Sequence, residues 1–344
     1  MNRTFLDSLE CRPTHRIPFV PAIYEHKAWF VRSTPSVVCR DADLFTEALV
    51  SEFEQIRPDA LVVGMDVYNV EAEAAGCPIA YYEGDDTSIP SPVPGQEVYH
   101  EDDSVESLKI PEPASDGRMP LMLEVARRVH RLLGEKVPIR GAVSAPFSLA
   151  ANLAGAQNLF MLTVTRPDLV RALLSYAVHV IHRYSLAFIE TGCDVIMFDS
   201  LASPQLLSPV AYRELVLPPT AELIRRLHRD GLKHVPLIIG GNTTKILDAY
   251  LETGGNNILC DAAADPAAFR MACSSAGRAF RRNISTTDFL TATPDELRTR
   301  AIAILEAARG YPGFIFGTGV VPFGTPLESL RALRETVEEF TPAH

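Results

Sequence analysis

PDLVRALLSYAVHVIHRYSLAFIETGCDVIMFDS, residues 167–200, holds one long segment of helical period and then, after a glycine, a short apolar run. The first part spaces its apolar residues as one face of a helix requires, whereas VIMFDS (195–200) is rich in strand-favouring residues and ends on an acid. Pro167 suits a helix's first turn and Gly192 its end. The same unit recurs along the chain. Comparable runs are IPFVPAIY (17–24), ALVVGMD (60–66), VPIRGAVS (137–144), PLIIGG (236–241), NILCD (257–261), AFRRNIS (279–285) and FIFGTG (314–319). Helical segments lie between them, such as LFTEALVSEFEQI (44–56) and PDELRTRAIAILEAARG (294–310). Eight strand-and-helix units on one chain predict class α/β and a closed parallel (β/α)8 TIM barrel. A doubly wound sheet is the rival, because alternation alone does not prove closure.

Local signals agree with these boundaries. Ser208-Pro209 and Thr293-Pro294 place a capping residue ahead of a first-turn proline, and Gly254 and Gly310 sit where helices should stop. The stretch 67–115, between the second and third strands, is rich in Pro, Asp, Glu and Ser and is expected to be an insertion over the barrel mouth. One domain is therefore expected over 1–344.

Composition narrows the function classes. The chain has 344 residues, 47% hydrophobic and 22% charged, which is ordinary for a folded domain and enough for a large core. Its net charge of −11 disfavours a broad nucleic-acid or anionic-membrane surface. No apolar h-region follows the start and no run of 18 apolar residues occurs, so neither a signal peptide nor a membrane anchor is expected. The six cysteines form no CxxC pair, and a reduced, cytoplasmic enzyme is the expectation.

In a barrel of this kind, chemistry gathers at the C-terminal ends of the strands. That rule selects Tyr24, Glu25 and His26 after the first strand, and Asp66, Tyr68, Asn69 and Glu71 after the second. It adds Ser144 after the third, Asp199 after the fourth, Asn242 after the fifth, Asn283 on the seventh and Thr318 on the eighth. Glu25, His26, Asp66 and Asp199 are the candidate catalytic acids and bases, and the others candidate substrate contacts. Each has a plainer reading: a helix cap or loop bond for Asp66, a salt bridge of Glu25 to Lys27 or a cap on the next helix by Glu25 or His26, a loop-fixing buried carboxylate for Asp199. His26 and Cys260 together could contribute to a metal set, although no short-range ligand spacing supports one and a buried free cysteine is the commoner outcome. Of Arg281 and Arg282, strand alternation sends at least one into the barrel or its helix layer, and an inward arginine could hold a carboxylate or phosphate or pair with a neighbouring strand. His179 and His182 fall on an outer helix and read as structural or surface groups.

GCDVIMFDSLASPQLLSPVAYRELVLPP (192–219), VPIRGAVSAPFSLAANLAG (137–155), IIGGNTTKILDAYLETG (238–254) and GTPLESL (324–330) resemble the uroporphyrinogen decarboxylase superfamily. DVYNVEAEAAGCPIAY (66–81) and the GGNTT run are closer to its methylcobalamin:coenzyme M methyltransferase branch. The resemblance implies a barrel, commonly a homodimer. In the thiol-methylating branch, a His-x-Cys pair and a later Cys ligate zinc, which deprotonates the acceptor thiol. The corresponding positions here read Ile238, Gly240 and Thr318, so thiol methylation by that route is not expected. The decarboxylase branch holds substrate carboxylates with an Arg-rich segment after strand one and uses an Asp after strand two. Asp66 matches the latter, but Tyr24-Glu25-His26-Lys27 replaces the arginines, and Glu25 would repel a polycarboxylate.

The resemblance and its departures lead to an expected function: methyl transfer between a small non-thiol donor or acceptor and a corrinoid on a separate protein, with acid/base help from the candidate carboxylates and His26. Two alternatives stand beside it. One is a cofactor-independent decarboxylase or lyase acting on a small carboxylic acid, and the other a barrel that binds without catalysing.

Overall fold

The computed structural model describes residues 3–340; residues 1–2 and 341–344, the ends of the 1–344 domain span, lie outside the described residues. Ten strands occur in chain order: β1 (Phe19–Ala22), β2 (Leu61–Val63), β3 (Ile79–Ala80), β4 (Ser91–Pro92), β5 (Ile139–Ser144), β6 (Asp194–Phe198), β7 (Leu237–Ile238), β8 (Asn257–Cys260), β9 (Ala279–Ile284) and β10 (Phe314–Val320). All but β3 and β4 fall within the eight apolar runs or overlap them, and all eight pair in parallel. They form two four-stranded arcs, β1-β10-β9-β8 and β2-β5-β6-β7.

The two seams between the arcs are bridged by side chains. At β7/β8 the buried Tyr250 hydroxyl donates to the Leu237 carbonyl (2.7 Å) and accepts from the amides of Ile239 (2.9 Å) and Leu259 (3.2 Å). Those three bonds use the full capacity of one phenol. At β1/β2, the Asp59 amide donates to the Phe19 carbonyl (2.9 Å) while its carboxylate accepts from the Phe19 amide (2.8 Å). Closure therefore depends on one tyrosine and one aspartate as well as on ladder bonds.

The outer helices start and stop as their sequences predict. Asp41 caps the helix Ala42–Ile56 through the amides of Asp43 and Leu44, and Thr293 with Glu296 forms a capping box on Pro294–Ala307. Ser208 caps the turn that follows it, and Gly192, Gly254 and Gly310 all have positive φ. The helix Pro167–Glu190 is long and apolar enough to span a membrane, yet about half of that window (56%) is buried within the fold.

Inside the barrel, strand alternation builds two apolar layers. Phe5, Leu9, Val20, Ala60, Ala279 and Ile315 seal the floor, where the helix Thr4–Leu9 acts as a plug. Above them, Ala22, Val62, Ala142, Ile196, Ile238 and Leu259 lead up to Tyr24 and Phe198 at the mouth. The 67–115 segment adds a short helix, Val70–Ala74, and the antiparallel β3–β4 hairpin, tied to the mouth by the Asn69 amide on the Pro90 carbonyl. Its later part lies along the outer helices: Tyr176 donates to the Lys109 carbonyl and Arg183 to Glu112 (2.6 Å).

Candidate active site

The β6 end carries the most reactive arrangement. Asp199 is fully buried; its Oδ1 accepts from the Ser148 amide (2.9 Å) and hydroxyl (2.8 Å), while Oδ2 has no partner. Ser148 lies in the first turn of the helix Pro146–Ala154, whose positive end favours a carboxylate. Burial outweighs this and pushes the carboxyl up to about 7. Ser200, the next residue, shares a 2.5 Å hydrogen bond with the Tyr68 hydroxyl. Tyr24 and Tyr68 both set their rings edge-on to Phe198, at 5.6 and 6.1 Å. An acid that can take or give a proton near neutral pH thus sits among aromatic rings and a hydroxyl pair.

Glu71 is close by and differently employed. It accepts from the Ser144 amide (2.6 Å) and hydroxyl (3.3 Å), and burial pushes it up to about 7. Ser144 and Asn152 also hold the Tyr68 carbonyl, at 3.3 and 2.5 Å. Glu71 and Ser144 together lash the segment after β2 to β5. Asn69 is likewise committed to Pro90.

Asp66 departs from the expectation of a free catalytic acid. Both oxygens are engaged by Arg118, at 3.0 and 2.5 Å, and Arg118 Nε reaches Glu73 (2.5 Å) while its guanidinium stacks on Tyr81. Bidentate pairing leaves Asp66 as an anchor. Arg118 was missed from sequence because it stands 52 residues further along, beyond an insertion.

The adjacent Glu25 and His26 do not act on each other. His26 is fully buried with its ring edge-on to Phe30 (5.2 Å); the Pro322 carbonyl is its one polar neighbour, off the geometry of a full hydrogen bond, and burial outweighs it and pushes the ring down to about 4, so it is neutral at pH 7. Glu25 keeps an unpartnered Oε2, and burial raises its carboxyl. Lys27 turns away from both to the Ile23 carbonyl and Glu52 (3.5 Å).

The remaining candidates divide between mouth and scaffold. Asn283, 3% exposed, gives one weak bond to Asp261 (3.4 Å) and has an unpartnered Oδ1. Asp261 in turn fixes the Gly241 amide (2.8 Å), holding the turn after β7 to β8. Gly241 has φ 79°, and a Cβ there would lie 2.2 Å from Gln205 Oε1. Asn242 is exposed and bonds only within its own turn, to the Thr244 amide (3.2 Å). Thr318 is fully buried with its hydroxyl accepting from the Ala22 amide (2.9 Å), so it completes a strand pair where a substrate contact was expected.

The His26–Cys260 metal set fails on geometry. Cys260 is buried in the core between barrel and helices, where its sulfur accepts from Arg282 (3.3 Å), and burial pushes the thiol up to about 11. Among the described residues, no group of three or more His, Cys, Asp or Glu is placed to hold a metal. Nor do the three positions of the relatives' zinc fit one: Ile238 packs in the apolar barrel layer, Gly240 offers only space beside Ser200 and Asp261, and Thr318 is taken up by Ala22.

Two arginines point inward. Arg281 is the interior member of its pair, since Arg282 donates to the carbonyls of Asp261, Ala262 and Ala264. Arg140, on β5, was overlooked, although it shares strand parity with Ala142 and Ser144 in IRGAVS. Beside the mouth lies a cavity of about 570 Å³ lined by Trp29, Arg32, Ser33, Thr34, Asp85, Thr87 and Phe323.

Comparison with known proteins agrees with this architecture. The family described as uroporphyrinogen decarboxylase (URO-D) matches residues 1–340. The uroporphyrinogen decarboxylase of Pelobacter propionicus is 28% identical, with 99% of each chain covered, and that of Geobacter sulfurreducens 26% identical, with 95% of each covered. Among solved structures, a methyltransferase from Methanosarcina mazei superposes with a TM-score of 0.83 at 22% identity, over 98% of this chain and 97% of that one. A B12-independent methionine synthase from a Shewanella species reaches 0.61 at 13% identity, over 94% and 98%. This α/β barrel is a member of the uroporphyrinogen decarboxylase family of enzymes.

Proposed function

We propose that the protein is a cytoplasmic methyltransferase that moves a methyl group between a small non-thiol molecule and a corrinoid held on a separate protein. The observation that carries this reading is Asp199: a buried carboxyl at about 7, with one oxygen free, beside the Ser200–Tyr68 hydroxyl pair. A departing alkoxide or amine needs a proton, and a donor works best when its pKa lies near the working pH. Asp199 would give that proton from Oδ2 while Ser148 fixes Oδ1, and the aromatic walls of Tyr24, Tyr68 and Phe198 would exclude water.

Glu25 and the Asp66 region leave little for a substrate with many carboxylates, which weighs against the reaction named for the sequence relatives. The exposed Trp29 and the cavity it shares with Arg32 and Phe323 give a corrinoid ring a face to rest on beside the mouth. When bound, that group would supply the cobalt that accepts or donates the methyl. The test is to mix the enzyme with methylcobalamin or reduced cobalamin and a panel of methoxylated compounds, methylamines and folates, and follow the cobalamin visible spectrum. A change that Asp199→Asn suppresses is expected; no change with any member, free or on a carrier protein, overturns the reading.

A second reading, decarboxylation of a small acid, draws on the inward Arg281, which could hold a carboxylate. Carbon dioxide release from candidate acids separates the two.

A further inference from the structure

The barrel interior holds two guanidinium groups that have no hydrogen-bond partner among the described residues. Arg140 on β5 is 3% exposed and Arg281 on β9 is 4% exposed. Arg140 Nε and Nη2 and Arg281 Nε are sealed from solvent without a hydrogen bond. Neither residue makes an ion pair with a carboxylate within 4 Å among the described residues, whereas Arg118, Arg16 and Arg334 all do. Arg140 has only the Phe5 ring beneath it, at 4.7 Å, and the more distant charge of Asp194.

Two like charges in one largely buried interior are costly: each buried ion loses several kcal/mol of hydration, and here they repel each other as well. Deprotonation does not relieve this at neutral pH. Burial and the neighbouring Arg281 push Arg140 down only to about 9. A fold that keeps both charges and supplies only the more distant Asp194, on β6 in register with Arg140, to offset them is arranged to receive a further anion.

We propose that Arg140 and Arg281 bind the carboxylate of a small organic acid inside the barrel, below the mouth. The inference rests on the mouth being the substrate site, as proposed above, and names the class of substrate under either reaction. The surroundings specify the ligand. Tyr24, at the mouth end of β1, lies within electrostatic range of both guanidiniums, and its buried phenol stays protonated as a donor. Gly317 on β10 makes room for the Arg281 stem to lie across the strand: a Cβ there would lie 2.7 Å from Arg281 Cδ and 2.9 Å from Asn283 Oδ1. Above and around stand Val62, Ala142, Ile196 and Leu259, which suit an apolar body attached to the charged head. A carboxylate matches the two planar forks, and Asp194 offsets part of the second positive charge. The apolar walls favour an organic acid, whose body they can cover, over inorganic phosphate, which has none.

The test is thermal unfolding of the whole chain with benzoate, cyclohexanecarboxylate or inorganic phosphate at constant ionic strength. Arg140→Met and Arg281→Met keep the apolar stems and remove the charge. Both carboxylates should raise the melting temperature saturably, phosphate should not, and the two variants should bind at least tenfold more weakly while melting no lower than the parent without ligand. Should a Met variant fail to fold, Arg281→Lys, which keeps charge but loses the fork, is read in its place with the same expected weakening. A carboxylate response unchanged in the variants, a response to phosphate alone, or no response to either carboxylate overturns the proposal. Because the readout is binding, a failed methyl-transfer assay would leave it standing.

Discussion

The two acidic strand ends of the barrel, at β2 and at β6, are built from the same residue type and have opposite employment. At β2, Asp66 spends both oxygens on Arg118, which also reaches Glu73, and the three form a closed ion-pair cluster. At β6, Asp199 spends one oxygen on Ser148 and keeps the other free, with no cation near enough to hold it ionised. Burial is common to both. What separates anchor from acid is the partner: a guanidinium leaves no oxygen over, whereas a serine occupies only one.

This contrast can be broken in order of effect. Asp199→Asn should keep the Ser148 contacts and lower turnover by about 10²–10⁴-fold with no loss of stability, and a gain near neutral pH, read from kcat beside a melting curve. Asp66→Ala should do the reverse in kind: about 3–5 kcal/mol lost in urea unfolding, because Arg118 is left buried with only Glu73. Adding Arg118→Met should recover much of that loss, and no recovery would mean that Asp66 matters for another reason.

A pH series sharpens the same distinction. Asp199 and Glu71 are pushed up to about 7 in the folded chain, while unfolded carboxyls titrate at about 4. Below about 4 both states are protonated and burial carries no charge penalty. As pH rises from about 4 to about 7 the unfolded chain ionises first, so these two groups progressively reduce stability, and the full reduction is reached above about 7. A tenfold difference in proton affinity corresponds to about 1.4 kcal/mol. Asp199→Asn should therefore flatten the fall in melting temperature over that window, and activity that needs the protonated acid should decline above pH 7. An unchanged pH profile in the variant would remove Asp199 from the proton-donor role.

Smaller effects belong to residues that the structure moved out of the site. Thr318→Val should cost about 1–3 kcal/mol by leaving the Ala22 amide unpartnered, with substrate affinity retained. Asn242→Ala, in an exposed turn, should change stability by less than about 0.5 kcal/mol. A large loss of affinity from either would restore it to the site.

The strands and helices were legible because each is specified locally: alternation marks β5, and Thr293 with Glu296 marks a helix start. The mouth positions were legible by rule, since barrel strands deliver their last residues there. The pairing of those residues was not. Arg118 reaches Asp66 across an intervening hairpin, Ser148 meets Asp199 from another strand's helix, and Tyr250 joins β7 to β8 from outside the barrel. Arg140 lay between these cases, readable by parity in IRGAVS but only as an inward residue.

Period, capping and the order of apolar runs determined by themselves that this chain would alternate strand and helix in an α/β fold, because backbone geometry and side-chain period act over a few residues at a time; closure of the sheet into a barrel was decided at the seams that Tyr250 and Asp59 bridge. The tertiary structure alone decided which charge is spent and which is free. That choice depends on groups brought together from separate strands and helices in a medium that no longer screens them: Arg118 neutralises Asp66, no cation among the described residues neutralises Asp199, and Arg140 and Arg281 repel each other with only the more distant Asp194 to offset them.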